Sequence, residues 1–324
     1  MRTIKARVHA IEFLAEDILG IDLRPIDGAE WPVAIAGSHI DLHLPGNMIR
    51  SYSLVNAQGE KHRYVISVSR DANSRGGSKY LHEVLRVGNV LTISEPRNSF
   101  PLKESASHTI FIAGGIGITP LWSMAQRLSQ IGAPWTIYYS AQAPERAAYV
   151  EQLSSLASEA GGTIHLNFDG GQRDRMLNLQ RIVDSSPRDA DLYCCGPIPM
   201  LRAFEAACEG RNPDTVHREY FAAPVSASAP AGEGSAEEFI VVLSKSNKTV
   251  KVGPTTTILD AVLNAGVEVS YSCMAGICRA CETNVLGGLP DHQDLVLSDS
   301  ERECGATMMI CCSRAKTAEL ILDL

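Results

Sequence analysis

Along the first hundred residues, apolar and polar positions alternate in short runs. Val8-His9-Ala10-Ile11 and the stretches 20–23, 39–44 and 63–69 each step between hydrophobic and polar side chains, the period-two pattern of strands with one buried face. Pro25, Gly28, Pro32, Gly37, Pro45 and Gly59 punctuate them as turn residues do. Repeated short strands with little helix predict an antiparallel β-barrel over residues 1–102, with one short helix at 78–85. Near residue 108 the texture changes. An apolar run at 109–113 ends in glycines, and a helical pattern follows with Pro120 in its first turn. Strands at 135–140, 163–168 and 191–195 then alternate with helices at 147–157, 179–183 and 198–208, which predicts a doubly wound parallel α/β layer over 103–221. Residues 222–236 are rich in Ala, Ser, Pro and Gly and lack large apolar side chains, so they read as a linker. Phe239 opens a third unit, 237–324. The fold class expected is multidomain.

Length and composition narrow this picture. A chain of 324 residues accommodates two or three domains. With 45% hydrophobic and 20% charged residues, each can build its own core without a disulfide framework. The net charge of −8 and pI of about 5.6 argue against a nucleic-acid binder, which needs a basic footprint. Charges interrupt the N-terminal segment, so it reads as neither a signal peptide nor a membrane span. The expectation is a cytoplasmic protein that binds no membrane.

Nine cysteines are present, an odd number. Cys273, Cys278 and Cys281 form C-x4-C-x2-C, and a cysteine pair follows at 311 and 312. This is the spacing of a plant-type two-iron, two-sulfur (2Fe–2S) ferredoxin. A short loop carrying Gly276 can wrap one side of a cluster, aim three thiolates inward and turn its amides toward the sulfurs. The fourth ligand is Cys311 or Cys312; neighbours on a strand point to opposite faces, so one can ligate while the other packs away. Two other readings of the cysteines are chance clustering in a core and structural zinc, although zinc usually takes two C-x2-C-like pairs and only one is present.

Two further patterns suggest nucleotide-type ligands. Ala113-Gly114-Gly115-Ile116-Gly117-Ile118-Thr119-Pro120 follows a strand and opens a helix, a place where a pyrophosphate can approach bare backbone. Arg50-Ser51-Tyr52-Ser53 starts a barrel strand, and Arg75-Gly76-Gly77-Ser78 is a glycine-rich turn opening a helix, which offers N–H groups to a phosphate.

The cysteine segments 272–281 and 311–315, with Gly288-Leu289-Pro290-Asp291-His292-Gln293-Asp294 between them, resemble the ferredoxin domain of the phthalate dioxygenase reductase family, vanillate O-demethylase reductase subunits in particular. The glycine turn resembles the G-G-x-G-[IV]-T-P of ferredoxin reductase relatives, and R-x-Y-S their flavin signature. The resemblance implies an α+β ferredoxin (β-grasp) third domain with Cys273, Cys278, Cys281 and Cys311 as cluster ligands. It implies FMN, because the cluster domain is C-terminal. Arg50 would pair with the flavin phosphate, Tyr52 would lie against the ring, and Ser53 would bond it near its reactive nitrogen. Ser51 belongs to the same segment, and Gly76, Gly77 and Ser78 would complete the phosphate site. Gly114, Gly115, Gly117, Thr119 and Pro120 would hold the dinucleotide. Cys195, Gly196 and Pro197 would lie beside the nicotinamide, and Phe221 would stack on the flavin, unless it is a core aromatic. Ser53, Cys195 and Phe221 would thus stand at the reacting rings. Arg146 is a candidate for a 2′-phosphate, but family precedent favours NADH. Arg279 stands where relatives often carry glycine; a cation there would raise the cluster potential, touch a partner, or simply be a solvated loop arginine.

Nicotinamide gives two electrons at once, a 2Fe–2S cluster accepts one at a time, and flavin can do both. The chain carries no Rieske C-x-H motif and no clear facial triad, so oxygen chemistry would reside in a partner. The function expected is the NADH-dependent reductase component of a Rieske-type aromatic oxygenase or demethylase system. The alternatives are a stand-alone flavoreductase and a redox-sensing iron–sulfur flavoprotein.

Overall fold

The alternating strands of the first hundred residues close on themselves. A computed structural model describes residues 2–46, 48–71, 74, 76–221, 238–271 and 273–324. In it, β1 (Thr3–Ala15), β2 (Ile18–Pro25), β3 (His39–Leu44), β4 (Met48–Ser53), β5 (Tyr64–Ser69) and β6 (Val90–Ser94) form an antiparallel sheet in the order β4-β3-β6-β1-β2-β5. Its two edges meet: Leu54 bridges Ile66, and Val55 N–H donates to Val65 O at 2.9 Å. Closure removes the free edges an open sheet would expose. Inside lie Ile21, Leu23, Ile40, Leu42, Tyr64, Ile66 and Ile93, all fully buried, with Leu81 added by α1 (Gly77–Glu83).

Next come β7 (Thr109–Gly114), α2 (Ile118–Ile131), β8 (Trp135–Ala141), α3 (Val150–Ala160), β9 (Thr163–Phe168), α4 (Leu179–Ser185), β10 (Asp191–Cys195), α5 (Ile198–Ala207) and β11 (Val216–Glu219). The five strands are parallel, in the order β11-β10-β7-β8-β9. Every residue of β7 is buried, which explains its continuous apolar run: a central parallel strand is covered on both faces. Helix α3 begins later than its apolar spacing predicts, because Pro144–Arg146 form a separate turn and Tyr149 takes φ +66°. The barrel and this layer share a core in which Ala15, Ile18, Val55 and Phe100 join Phe111, Ile118 and Met124.

The C-terminal residues form β12 (Phe239–Leu243), β13 (Lys248–Val252), α6 (Ile258–Asn264), β14 (Glu282–Gly287), β15 (Pro290–Asp291), α7 (Asp299–Cys304), β16 (Thr307–Met309), β17 (Arg314–Ala315) and β18 (Glu319–Leu322). The sheet order is β13-β12-β18-β14-β16, with β12 and β18 parallel at its centre. Thr257 caps α6, accepting from Asp260 N–H at 3.0 Å. Ile258, Leu259 and Val262 of that helix complete a core with Val241, Leu243, Leu320 and Leu322. The chain divides into two compact units at the Phe221–Ala222 junction. The expected linker at 222–236, and Arg75 and Ser272 of the loop motifs, lie outside the described residues. Among the described residues no helix is long and apolar enough to cross a membrane.

Candidate functional site

Strand order reverses between β7 and β10, which end side by side with Cys195 opposite Ala113. At such a reversal a crevice opens beyond the strands' carboxyl ends. Two of the motifs meet there. A Cβ on Gly117 would stand 2.2 Å from Cys195 O and 2.8 Å from Gly196 N; one on Gly114 would stand 2.7 Å from Pro197 Cδ; one on Gly196 would stand 3.1 Å from Gly114 Cα. Gly114 and Gly117 are therefore glycines because the Cys195-Gly196-Pro197 turn lies against them. Gly115 is one for a different reason: φ is +53°, with open space where a side chain would go. Thr119 is buried and its hydroxyl donates to Ile116 O at 2.9 Å, so it fixes the turn, while Pro120 is buried in the first turn of α2.

Cys195 is fully buried, and burial, followed by the nearby Glu219 carboxyl, pushes its thiol well above the usual range. A thiol held neutral is a poor nucleophile, which suits a positioning role. Glu219 itself was not singled out by sequence reasoning. It pairs in register with Cys195 across β10 and β11. Its Oε2 is buried without a hydrogen-bond partner, and burial raises the carboxyl to about 8. Only the register of β11 reveals it, since His217-Arg218-Glu219 reads as an exposed polar run. Phe221 is 44% exposed, which removes its reading as a core aromatic.

On β4, Arg50 and Tyr52 share one face and Ser51 and Ser53 the other. Ser51 Oγ donates to Asp41 Oδ1 at 2.7 Å, and buried Asp41 also binds Arg97, so the Ser51 hydroxyl ties β4 to β3. Tyr52 packs against the barrel core, and burial pushes its phenol up to about 12. Ser53 is buried opposite His39. The Arg50 stem crosses the start of α1: a Cβ on Gly77 would stand 2.7 Å from Arg50 Cγ and 3.0 Å from its Nε. Gly76 opens this helix at φ +96°, and Ser78 Oγ accepts from Asp71 N–H at 3.3 Å. An arginine laid over a helix start is a fitting cradle for a phosphate. Strand β5 touches the Gly115–Gly117 turn and is bridged by Leu54. The Tyr52-Ser53 end of β4 and the glycine turn therefore flank the same strand. Arg146 is engaged elsewhere, donating to Glu16 Oε2 at 3.0 Å and Asp17 Oδ2 at 3.3 Å.

In the C-terminal unit the loop carrying Cys273, Cys278 and Cys281 folds through three left-handed residues, Met274 (φ +54°), Gly276 (φ +68°) and Arg279 (φ +54°). The four candidate ligand thiols meet as two pairs, and Cys312 joins the second. Cys273 contacts Cys278, and Cys281 contacts Cys311. Backbone N–H groups surround them: Ala275 and Ile277 point at Cys273 (Ala275 N at 3.4 Å), Ala280 at Cys278 and Gly276 at Cys311. Among the described residues no three histidine, cysteine or carboxylate side chains gather as ligands of a single ion. Two thiol pairs suit two irons that share bridging sulfides, and the amides suit the negative charge such sulfurs carry. Asp294 of the 288–294 motif is buried behind the loop, accepts from Val296 and Leu297 N–H at 3.2 and 2.9 Å, and is followed by Leu295, whose N–H donates to Gly276 O at 3.0 Å.

One loop expectation needs correction, and for Arg279 one of the open alternatives is removed. Cys311 and Cys312 lie in the turn after β16 rather than on a strand, so strand alternation does not separate them, and Cys312 contacts Cys311. Arg279 is not a solvated cation. Its guanidinium donates to both Glu301 oxygens at 2.8 and 2.9 Å and to Val296 O at 2.9 Å, pinning the loop to α7.

Comparison with known proteins agrees with this division of chemistry. Residues 111–206 match a family described as an oxidoreductase NAD-binding domain, and residues 241–316 one described as a 2Fe-2S iron-sulfur cluster binding domain. The chain is 51% identical over 325 residues to phenoxybenzoate dioxygenase subunit beta of Ectopseudomonas oleovorans, covering 100% of this chain and 98% of that one. It is 45% identical over 323 residues to tetrachlorobenzoquinone reductase of Sphingobium chlorophenolicum, covering 99% and 98%. Among solved structures it is similar to phthalate dioxygenase reductase, described as a modular structure for electron transfer from pyridine nucleotides to a 2Fe-2S centre, with 34% identity, coverage of 99% and 98%, and a TM-score of 0.71.

Proposed function

The chain belongs to the phthalate dioxygenase reductase family, and from that premise we propose that it is the reductase component of a Rieske-type aromatic oxygenase or demethylase system, working in the cytoplasm. It is an NADH-dependent iron–sulfur oxidoreductase with FMN and a 2Fe–2S cluster as cofactors. FMN supplies the conversion of a two-electron donor into one-electron deliveries. We assign residues 1–102 to flavin binding, 103–221 to NADH and 237–324 to the cluster.

The protein's own residues bind, orient and insulate. Arg50, with Gly76, Gly77 and Ser78, would hold the flavin phosphate; Tyr52 and Ser53 would lie along the ring. Gly115, which faces open space, would admit the dinucleotide, while Gly114 and Gly117 let the Cys195-Gly196-Pro197 turn close against the strand ends. Glu219, protonated near neutral pH, can both donate and accept, which matches a nicotinamide carboxamide. Phe221 presents an open aromatic face. Cys273, Cys278, Cys281 and Cys311 would hold the two irons. With Arg146 engaged by Glu16 and Asp17, no 2′-phosphate role falls to it, in keeping with NADH.

The observation that carries this reading is that one chain holds both a glycine turn packed on the Cys195-Gly196-Pro197 segment at a strand-order reversal and two amide-lined thiol pairs. To test it, the protein is mixed with NADH, a candidate Rieske oxygenase and its aromatic acid substrate. Reduction of the oxygenase and product formation are expected. Rapid cytochrome c reduction with no oxygenase ever reduced contradicts the partner assignment. The quinone reductase relative favours a second reading, in which a chlorinated quinone is the direct acceptor; rapid quinone-dependent NADH oxidation that survives Cys278→Ser would support it.

A further inference from the structure

Two cysteines stand where one ligand is needed, and the second faces the cluster loop. Cys312 and Ser313 N–H both donate to Met309 O, at 3.3 and 3.0 Å, closing a tight turn that puts both sulfurs on the same side. The Cys312 sulfur lies 2.6 Å from where a Cβ on Gly276 would stand. It therefore fills the space a side chain at 276 would need, and it also contacts the Cys311 sulfur. Gly276 N–H points at that same Cys311 sulfur.

We infer that Cys312 is a positioning residue that sets the reduction potential of the cluster, donating its S–H to the Cys311 sulfur and bracing Gly276 so that the Gly276 amide does likewise. This rests on Cys311 being a cluster ligand, as proposed above. The S–H has two competing acceptors, Met309 O at 3.7 Å and Ser313 Oγ at 3.8 Å. Both are neutral, and the Ser313 hydroxyl already accepts from Gln293 N–H at 3.2 Å. A ligand sulfur carrying cluster charge is the stronger acceptor, since charge-assisted bonds are roughly twice as strong as neutral ones. Reduction adds one negative charge to the cluster, so a donor to its sulfur stabilises the reduced state more than the oxidised one. Losing the donor should lower the potential.

The test compares the full-length holoprotein with Cys312→Ala and Cys312→Ser, counting iron and sulfide and titrating the cluster potentiometrically by EPR. Alanine should shift the reduced-to-oxidised ratio at a fixed potential down about fivefold, which at ~59 mV per tenfold is about 40 mV. Serine keeps a donor and should recover at least half of that shift. An unchanged potential in the alanine variant, or serine displaced as far as alanine, overturns the inference. Should the alanine variant assemble no cluster, the wild-type protein decides. The infrared S–H stretching band that Cys312→Ser removes must move when the cluster is reduced, and a band that stays put overturns the inference equally. Wild-type protein without iron and sulfide would instead sink the cluster assignment itself, a distinguishable failure.

Discussion

Glu219 has a buried carboxyl whose Oε2 finds no partner, in register with a buried thiol. Its folded-state value of about 8 lies above the ordinary 4.5. Between those two values the native state holds a proton that the unfolded chain has released. Stability therefore falls as pH rises through that window and is flat on either side. Glu219→Gln removes the dependence. Melting temperatures measured across pH 5 to 8 should show the variant gaining on wild type as pH rises; a constant difference would mean that the carboxyl is ionised throughout. Arg279 makes a second case. It adopts φ +54° and ties the cysteine loop to Glu301. Arg279→Ala loses the tie and keeps the backbone cost, whereas Arg279→Gly loses the tie and relieves a cost of roughly 1 kcal/mol. Iron release to a chelator should be faster in the alanine variant than in the glycine variant, by about fivefold if that cost is fully expressed. Neither residue could be read from the sequence in this role. A glutamate in a charged run and an arginine in a loop are ordinary surface residues until strand register and backbone dihedrals place them.

At the scale of elements, what the sequence made readable was whatever repeats at short range. Alternation exposed the barrel strands, and the buried run of β7 exposed the centre of the parallel layer, because burial on two faces leaves no solvent-facing position to break the apolar run. The cysteine spacing was equally plain, since a cluster loop must present its thiols within a few residues of one another. Contacts between distant segments were not readable. That Gly117 lies against the Cys195 carbonyl depends on β7 and β10 ending together. That Cys311 and Cys312 share a side depends on where β16 gives way to a turn. The glycine packing has a sharp consequence. Gly117→Ala must push the Cys195-Gly196 backbone away, and on the proposed placement of these residues beside the nicotinamide a misplacement of about 1 Å should cost about a hundredfold in NADH turnover. Gly115→Ala meets open space and strains only its own backbone, about 1 kcal/mol. Steady-state NADH oxidation with ferricyanide should separate the two variants clearly, with bound flavin retained in both.

For the whole molecule, the division at Phe221–Ala222 separates two kinds of chemistry: pyridine nucleotide and flavin before it, iron and sulfur after it. Cys278→Ser should leave NADH-to-ferricyanide activity near that of wild type, since the residues assigned to nicotinamide and flavin all belong to the other compact unit, while abolishing delivery to an oxygenase. The central claim is that the cluster is filled from NADH within a single chain. Stepwise anaerobic addition of NADH to the purified protein, followed by visible absorption and low-temperature EPR, tests it most directly. The flavin and iron–sulfur bands should bleach together, and a reduced 2Fe–2S signal of one spin per chain should appear. Flavin that bleaches alone, with no iron–sulfur absorption or with a cluster that NADH never reduces, would contradict it.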